Sequence, residues 1–173
     1  MQVKLVLHAN EVLQNTAAIQ QRMQNLAPAM TAIKEVALDS IRQTFAAGGR
    51  PTRWPPLRAP RARGSLGSAI PLNDTGALRS SITGVSSAHT VTLGTNHAYA
   101  RVHQYGATIQ IPETRPRPPR RALRIRLSDG AFIFRRRAAA HSVHIPARPF
   151  LVIQKEDIAT FITIVRRFLL QGR

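Results

Sequence analysis

ALRIRLSDGAFIFRR, residues 122–136, alternates apolar and polar residues on both sides of Asp129-Gly130. An Asp-Gly pair between two alternating runs is a strong short-range hairpin signal, because the turn needs positive φ and the alternation puts one side-chain set on each face. Antiparallel strands are therefore expected here, and other short segments carry the same pattern. QVKLVL (2–7) reads as an opening strand, TVTLGT (90–95) and TIQI (108–111) as two more, and SVHIPARPFL (142–151) as an extended stretch held by Pro146 and Pro149. Helical periods flank them. A polar helix is expected from Asn10 to about Leu26, and Pro28 opens a second, at a position that tolerates proline. Met30, Ile33, Ala37, Ile41 and Phe45 share one face of that second helix, and Gly48-Gly49 stops it. The last expected helix runs from Asp157 to Leu170, with Ile158, Phe161, Ile162, Val165, Phe168 and Leu169 on one face. The pattern predicts a single α+β domain over residues 1–173. Its N-terminal helices and C-terminal helix would pack on a mainly antiparallel β-sheet.

The 173 residues suffice for one sizeable core. That core must be mainly aliphatic, since only 5% of residues are aromatic. Without cysteine, disulfides, thiolate metal sites and thiol nucleophiles are excluded. No apolar run approaches the roughly 18 residues that span a bilayer, and the N-terminus lacks the apolar length of a secretory signal. The reading is a soluble chain made in a cytoplasm, with no membrane partner.

Charge is the dominant compositional feature. The chain carries 25 Lys and Arg against 8 Asp and Glu, a formal charge of +17. Residues 50–137 hold 16 of the basic residues, all Arg, and only 3 acids. So strong a field implies a polyanion or an acidic protein surface as neighbour. Arg in place of Lys suits planar, two-pronged contacts to phosphate or carboxylate. Much of this charge sits in two Pro/Arg-rich stretches that read as loops, at about 50–71 and 112–121. The first holds Arg50, Arg53, Arg58, Arg61 and Arg63. Trp54, the only tryptophan, stands beside Pro55-Pro56 and would pin one end to the body. The second and its continuation hold Arg115, Arg117, Arg120, Arg121, Arg124 and Arg126. Three readings compete for these arms: a solvated loop, a sequence-blind phosphate contact, or an arm that orders on a neighbouring subunit.

Two stretches suggest catalysis and then fail the chemistry. Asp74-Thr75-Gly76 spells the triplet of aspartic proteases, but that mechanism needs two carboxylates sharing a proton and a turn leaving an apolar strand. Here ALRSSI follows, with Leu78 and Ile82 on one helical face, so Asp74 is expected to cap a short helix. HAYARVHQYGA (97–107) gathers His97, Tyr99, His103, Tyr105 and Gly106. His97 and His103 have no acidic cluster beside them, nor do His141 and His144, so no metal site is expected. Ser80-Ser81 with His103 lacks an orienting third group. The His and Tyr side chains are expected to pack in the centre of the fold. No enzyme activity and no cofactor are expected.

With these residues in place, the chain resembles a known family. W-P-P-L at 54–57, L-N-D-T-G-A-L-R-S-S-I at 72–82, V-T-L-G-T-N-H-A-Y-A-R-V-H-Q-Y-G-A at 91–107 and I-P-A-R-P-F-L at 145–151 occur in that order before a final amphipathic helix. This is similar to the phage virion morphogenesis or tail-completion family, which includes protein G of Mu-like phages. The resemblance runs from about Trp54 to Leu170 and makes Asp74, Gly76, Leu78, Tyr99, His103, Gly106, Arg148, Pro149 and Phe150 its motif residues. It implies a structural virion protein at the neck of a tailed phage, assembled in the host cytoplasm. Such a protein would form a ring, sixfold in related proteins, that caps the tail tube and meets the stopper or connector. It implies no catalysis and no cofactor. Packaged DNA would be a further partner through nonspecific phosphate contacts. A head-side stopper or adaptor is the alternative within the same structure, and a free nucleic-acid-binding protein is the alternative on charge alone.

Overall fold

The computed structural model describes residues 9–57, 70–116, 122–127 and 130–172. The strand expected at 2–7, the turn residue Asp129, and Arg58, Arg61, Arg63, Arg117, Arg120 and Arg121 lie outside the described residues. The architecture is α+β, and every strand pairing among the described residues is antiparallel. The chain divides into two compact units: residues 1–44, 82–95 and 151–173 form the first, and residues 45–81 and 96–150 the second.

The first unit is built on helices α1 (Ala9–Gln24), α2 (Ala27–Ala47, whose last turn belongs to the second unit) and α5 (Lys155–Gln171), with the hairpin β1 (Thr83–Ser86) and β2 (Val91–Gly94). Asn25 opens α2, its side-chain oxygen accepting from the Ala27 N–H at 3.0 Å. The helical period expected for α2 is what the packing uses: Ala29, Ile33, Ala37 and Ile41 are all buried. Ile33, Ala37 and Ile41 face Val91, Leu93, Leu151, Ile153 and Phe161 across an apolar groove. Two buried polar side chains cross this core. The Ser40 hydroxyl donates to Asp157 Oδ2 at 2.6 Å, and the same oxygen accepts the Gln154 backbone N–H at 2.8 Å. Asp157 thus closes the N-terminus of α5 and ties it to α2, replacing water at a carboxylate that burial would otherwise destabilise. At the other end of α5, Arg22 of α1 donates to the Leu169 carbonyl at 2.7 Å, capping an end of the helix where carbonyls lack partners.

The second unit holds helices α3 (Ala77–Ser80) and α4 (Ala100–Tyr105) and a long antiparallel ribbon. Strand β3 (Ala107–Ile111) pairs with β6 (His141–Ile145), and β4 (Leu123–Arg126) pairs with β5 (Phe132–Arg135). Between them a single bridge joins Thr114 and Ala138, with bonds of 3.0 and 2.8 Å in both directions. The two ladders are therefore one ribbon with an interruption. Nine positions separate Thr114 from Leu123 on the outgoing strand, while three separate Arg135 from Ala138 on the return. The Pro/Arg stretch expected at 112–121 falls in the longer of these two connections, and residues 117–121 of it lie outside the described residues. Proline carries no N–H for a ladder, so the pairing must break there. In place of one sheet carrying the helices, the described strands form three two-stranded ladders. A two-stranded ribbon has no sheet neighbour to cover it, and most residues of this one are half-buried or exposed.

Candidate functional site

Phe45, in the last turn of α2, is fully buried at the centre of the second unit. Trp54 meets it edge to face and Phe150 at a tilt, each with ring centroids 5.5 Å away. Such pairs add to the burial of their area. Around this aromatic cluster the W-P-P-L and A-R-P-F-L motifs hold each other in both directions. The Trp54 indole N–H donates to the Pro149 carbonyl at 2.8 Å. The buried Arg148 guanidinium returns the contact, donating from Nε to the Pro55 carbonyl at 3.0 Å and from Nη2 to the Pro56 carbonyl at 3.1 Å. A planar fork serves two carbonyls from two nitrogens at fixed spacing, where lysine offers a single nitrogen on a flexible stem. The Arg148 N–H donates to the His103 carbonyl at 2.7 Å, and the Phe150 N–H to Gln104 Oε1 at 3.0 Å, so α4 joins the clasp. Three distant motifs of the sequence meet here. Gln104, which the sequence reading passed over, is part of the joint.

The clasp holds the described start of the first arm. Arg50 is half-buried and Arg53 exposed, and the chain beyond Leu57 carries the other basic residues of that arm. Gly106 follows α4 with φ +74, where its backbone runs against the end of β6. A β-carbon there would lie 2.9 Å from the Ala147 nitrogen and 3.0 Å from the Ile145 carbonyl oxygen. This position requires glycine for room as well as for conformation.

The N-D-T-G and H-A-Y-A-R-V-H stretches also meet. Leu72, Asp74, Thr75, Gly76, Leu78, His97, Tyr99 and His103 line one concavity of about 360 Å³, which brings five of the motif residues together. Its details correct the sequence reading. The side chain serving the start of α3 is Thr75, whose hydroxyl accepts the Ala77 N–H at 3.2 Å, and Gly76 precedes the helix at φ +76. The chain enters α3 through a left-handed residue, so the hydroxyl two places before Ala77 takes the role assigned to Asp74. The tyrosines are not packed inside: Tyr99 is 65% and Tyr105 75% exposed. They stand at the two ends of α4, a short helix in which only Ala100 is buried. His103 is half-buried. Among the described residues, no three side chains of metal-ligating type come together.

The second basic region lies on the ribbon. Arg124 and Arg126 are exposed on β4, opposite Phe134 and Phe132 of β5. All four share one face, and Phe134 is 68% exposed. The Arg124 guanidinium carbon lies 3.7 Å from the Phe132 ring centroid, a cation–π stack. Arg115 is occupied differently: it and Arg137 flank Glu113, at 2.7 and 3.8 Å. The exposed phenylalanines were missed in the sequence because β-strand alternation alone does not say which face is covered.

No helix among the described residues is long and apolar enough to cross a membrane. No solved structure shows significant similarity to the chain. A Mu-like prophage protein of Haemophilus influenzae, FluMu G protein 2, is 26% identical over 161 residues, covering 93% of this chain and 91% of the relative. The chain matches the phage virion morphogenesis family over residues 7–170. Nearly every element described above falls inside that match, and the protein belongs to the phage virion morphogenesis family.

Proposed function

We propose that this virion morphogenesis protein is a ring subunit of the neck, which completes the tail and joins it to the head. One observation carries the assembly reading: the apolar face of α5 is left uncovered. Ile158, Ile162 and Leu170 are 51%, 63% and 59% exposed, and Ile162 and Leu170 line an open apolar groove with Ile19, Phe161, Val165 and Leu169. A contiguous apolar patch on a virion subunit is what a second copy would cover. The open ribbon edges of the other unit support the same reading, since unpaired strand edges are completed by a neighbour. The tail tube and the stopper or connector are the partners this placement implies, and the working location is the head–tail interface of the virion.

Two measurements test the reading. Sedimentation of the purified chain without DNA should show a closed oligomer. Ile162→Asp should dissociate it while far-UV circular dichroism stays unchanged, because the residue is exposed in the single chain. A monomer at all accessible concentrations would remove the ring. In particles from a phage lacking this gene, unjoined DNA-filled heads and overlong or ragged tails would support tail completion. Normal tails beside emptied heads would move the protein to the head side, as a stopper or adaptor.

A further inference from the structure

We infer that the exposed face of the β4–β5 hairpin is a nucleic-acid contact that grips the phosphodiester backbone without reading sequence. This rests on the ribbon's own chemistry and stands or falls independently of the neck reading. Arg124, Arg126, Phe132 and Phe134 form one continuous face, with the arginines opposite the phenylalanines. Among the described residues neither Arg124 nor Arg126 makes an ion pair, whereas Glu113 is already flanked by Arg115 and Arg137. Among the described residues the local charge therefore lacks its complement, in a chain of net +17.

The stack decides what kind of complement fits. The Arg124 guanidinium carbon lies 3.7 Å over the Phe132 ring, and among the described residues no hydrogen bond or ion pair engages its N–H groups. A planar fork held in advance loses less freedom on gripping a phosphate. Arg126 sits two residues along the same strand face, about 7 Å further on, close to the spacing of successive phosphates along a backbone. Phe134, 68% exposed and directly opposite Arg124, gives an apolar surface where a sugar or an unpaired base would lie. An acidic protein face would satisfy the arginines but would leave Phe134 without an apolar complement. Nucleic acid satisfies both, and side-by-side cations and aromatics are the usual platform for it.

Fluorescence anisotropy with labelled oligonucleotides tests this, using a duplex and a single strand of equal length in two unrelated sequences. The full-length chain should bind both sequences alike, with affinity falling steeply as salt rises. Arg124→Gln combined with Arg126→Gln should lower the slope of log affinity against log salt by about 1.8 on duplex. Over a roughly fourfold rise in salt, the wild type should then lose about tenfold more affinity than the variant. The control removes the same charge elsewhere: Arg42→Gln with Arg79→Gln, both exposed and on other elements. Equal effects from the two pairs would mean diffuse attraction and overturn the site. So would unchanged binding in the ribbon variant. Phe132→Leu keeps the charge and removes the stack, and should weaken binding less than the double variant. Phe134→Ala identifies the form gripped. A further loss of at least fivefold on single strands alone means stacking on unpaired bases, and no loss on either form means backbone contact to duplex. Circular dichroism on each variant separates a lost contact from lost folding.

Discussion

Replacing Arg148 with Met should uncouple the two ends of the clasp while keeping the aliphatic stem in place. The change removes the bonds to the Pro55 and Pro56 carbonyls, at 3.0 and 3.1 Å. A hydrogen bond with one charged partner contributes about 1.5–3 kcal/mol, so two could contribute up to about 6 kcal/mol. Pro55 and Pro56 are exposed, however, and their carbonyls can regain water once the guanidinium is gone. The lower half of the range applies, about 3 kcal/mol. With a urea m-value of about 2 kcal/mol per molar, the unfolding midpoint should fall by about 1.5 M. Trp54 makes the assay direct: it is the only tryptophan, lies in the same unit, and packs on Phe45. Its fluorescence should follow the unit that the clasp closes. Arg148→Lys keeps the charge without the fork and should recover less than half of the loss. A Met variant with a midpoint within about 0.3 M of wild type would refute the assignment, and so would full rescue by Lys. Either outcome would show that the two carbonyl bonds of the guanidinium fork do not hold the clasp.

Two further perturbations test the packing of each unit. Gly49 has φ +113, and a β-carbon there would sit 2.6 Å from the Thr52 carbonyl oxygen and 2.7 Å from the Trp54 nitrogen. Gly49→Ala should therefore destabilise by about 2–4 kcal/mol in thermal unfolding, whereas Gly94→Ala, with nothing within 4 Å, should stay within about 0.5 kcal/mol of wild type. Similar losses at both positions would show that crowding is not the cause. Ser40→Ala and Asp157→Ala should each destabilise, and a double-mutant cycle should give a coupling of about 1–2 kcal/mol for their 2.6 Å bond. Additive losses would mean that the two groups act separately.

Local signals in the sequence carried most of the elements. The α2 period foretold the buried row from Ile33 to Phe45, and Asp-Gly foretold the β4–β5 hairpin, because each depends on neighbours within a few residues. Strand β1 escaped, since Thr83-Gly84-Val85-Ser86 has one apolar residue and no alternation to detect. Long-range pairing was less legible. That β3–β6 and β4–β5 continue one ribbon depends on a bridge between Thr114 and Ala138, and a proline-rich stretch read as a loop hid that continuity. The site was legible as motifs but not as a mechanism. Trp54, Arg148, Pro149 and Phe150 stood out as residues, yet their mutual bonds join positions more than 90 apart in the chain. Burial misled as well. Tyr99 and Ile162 are residue types common in cores, but exposure is set by which elements cover them, and among the described residues both stand exposed.

Gly48 brings together the two ends of the first basic arm. Its carbonyl accepts the Trp54 N–H at 2.8 Å as the chain departs, and a β-carbon on it would lie 3.3 Å from Ile70 as the chain returns. The described ends of this stretch, at Trp54 and Ile70, thus meet at one residue. A stretch whose ends meet can be exchanged as a cassette. Doubling its length would add only about 0.6 kcal/mol of closure entropy. Related phages could exchange arms of different charge and length here while retaining the clasp, so that evolution changes the fit to a neck without redesigning the subunit. For the experimentalist, the same spot is a place to insert a tag or fluorophore and follow assembly in real time.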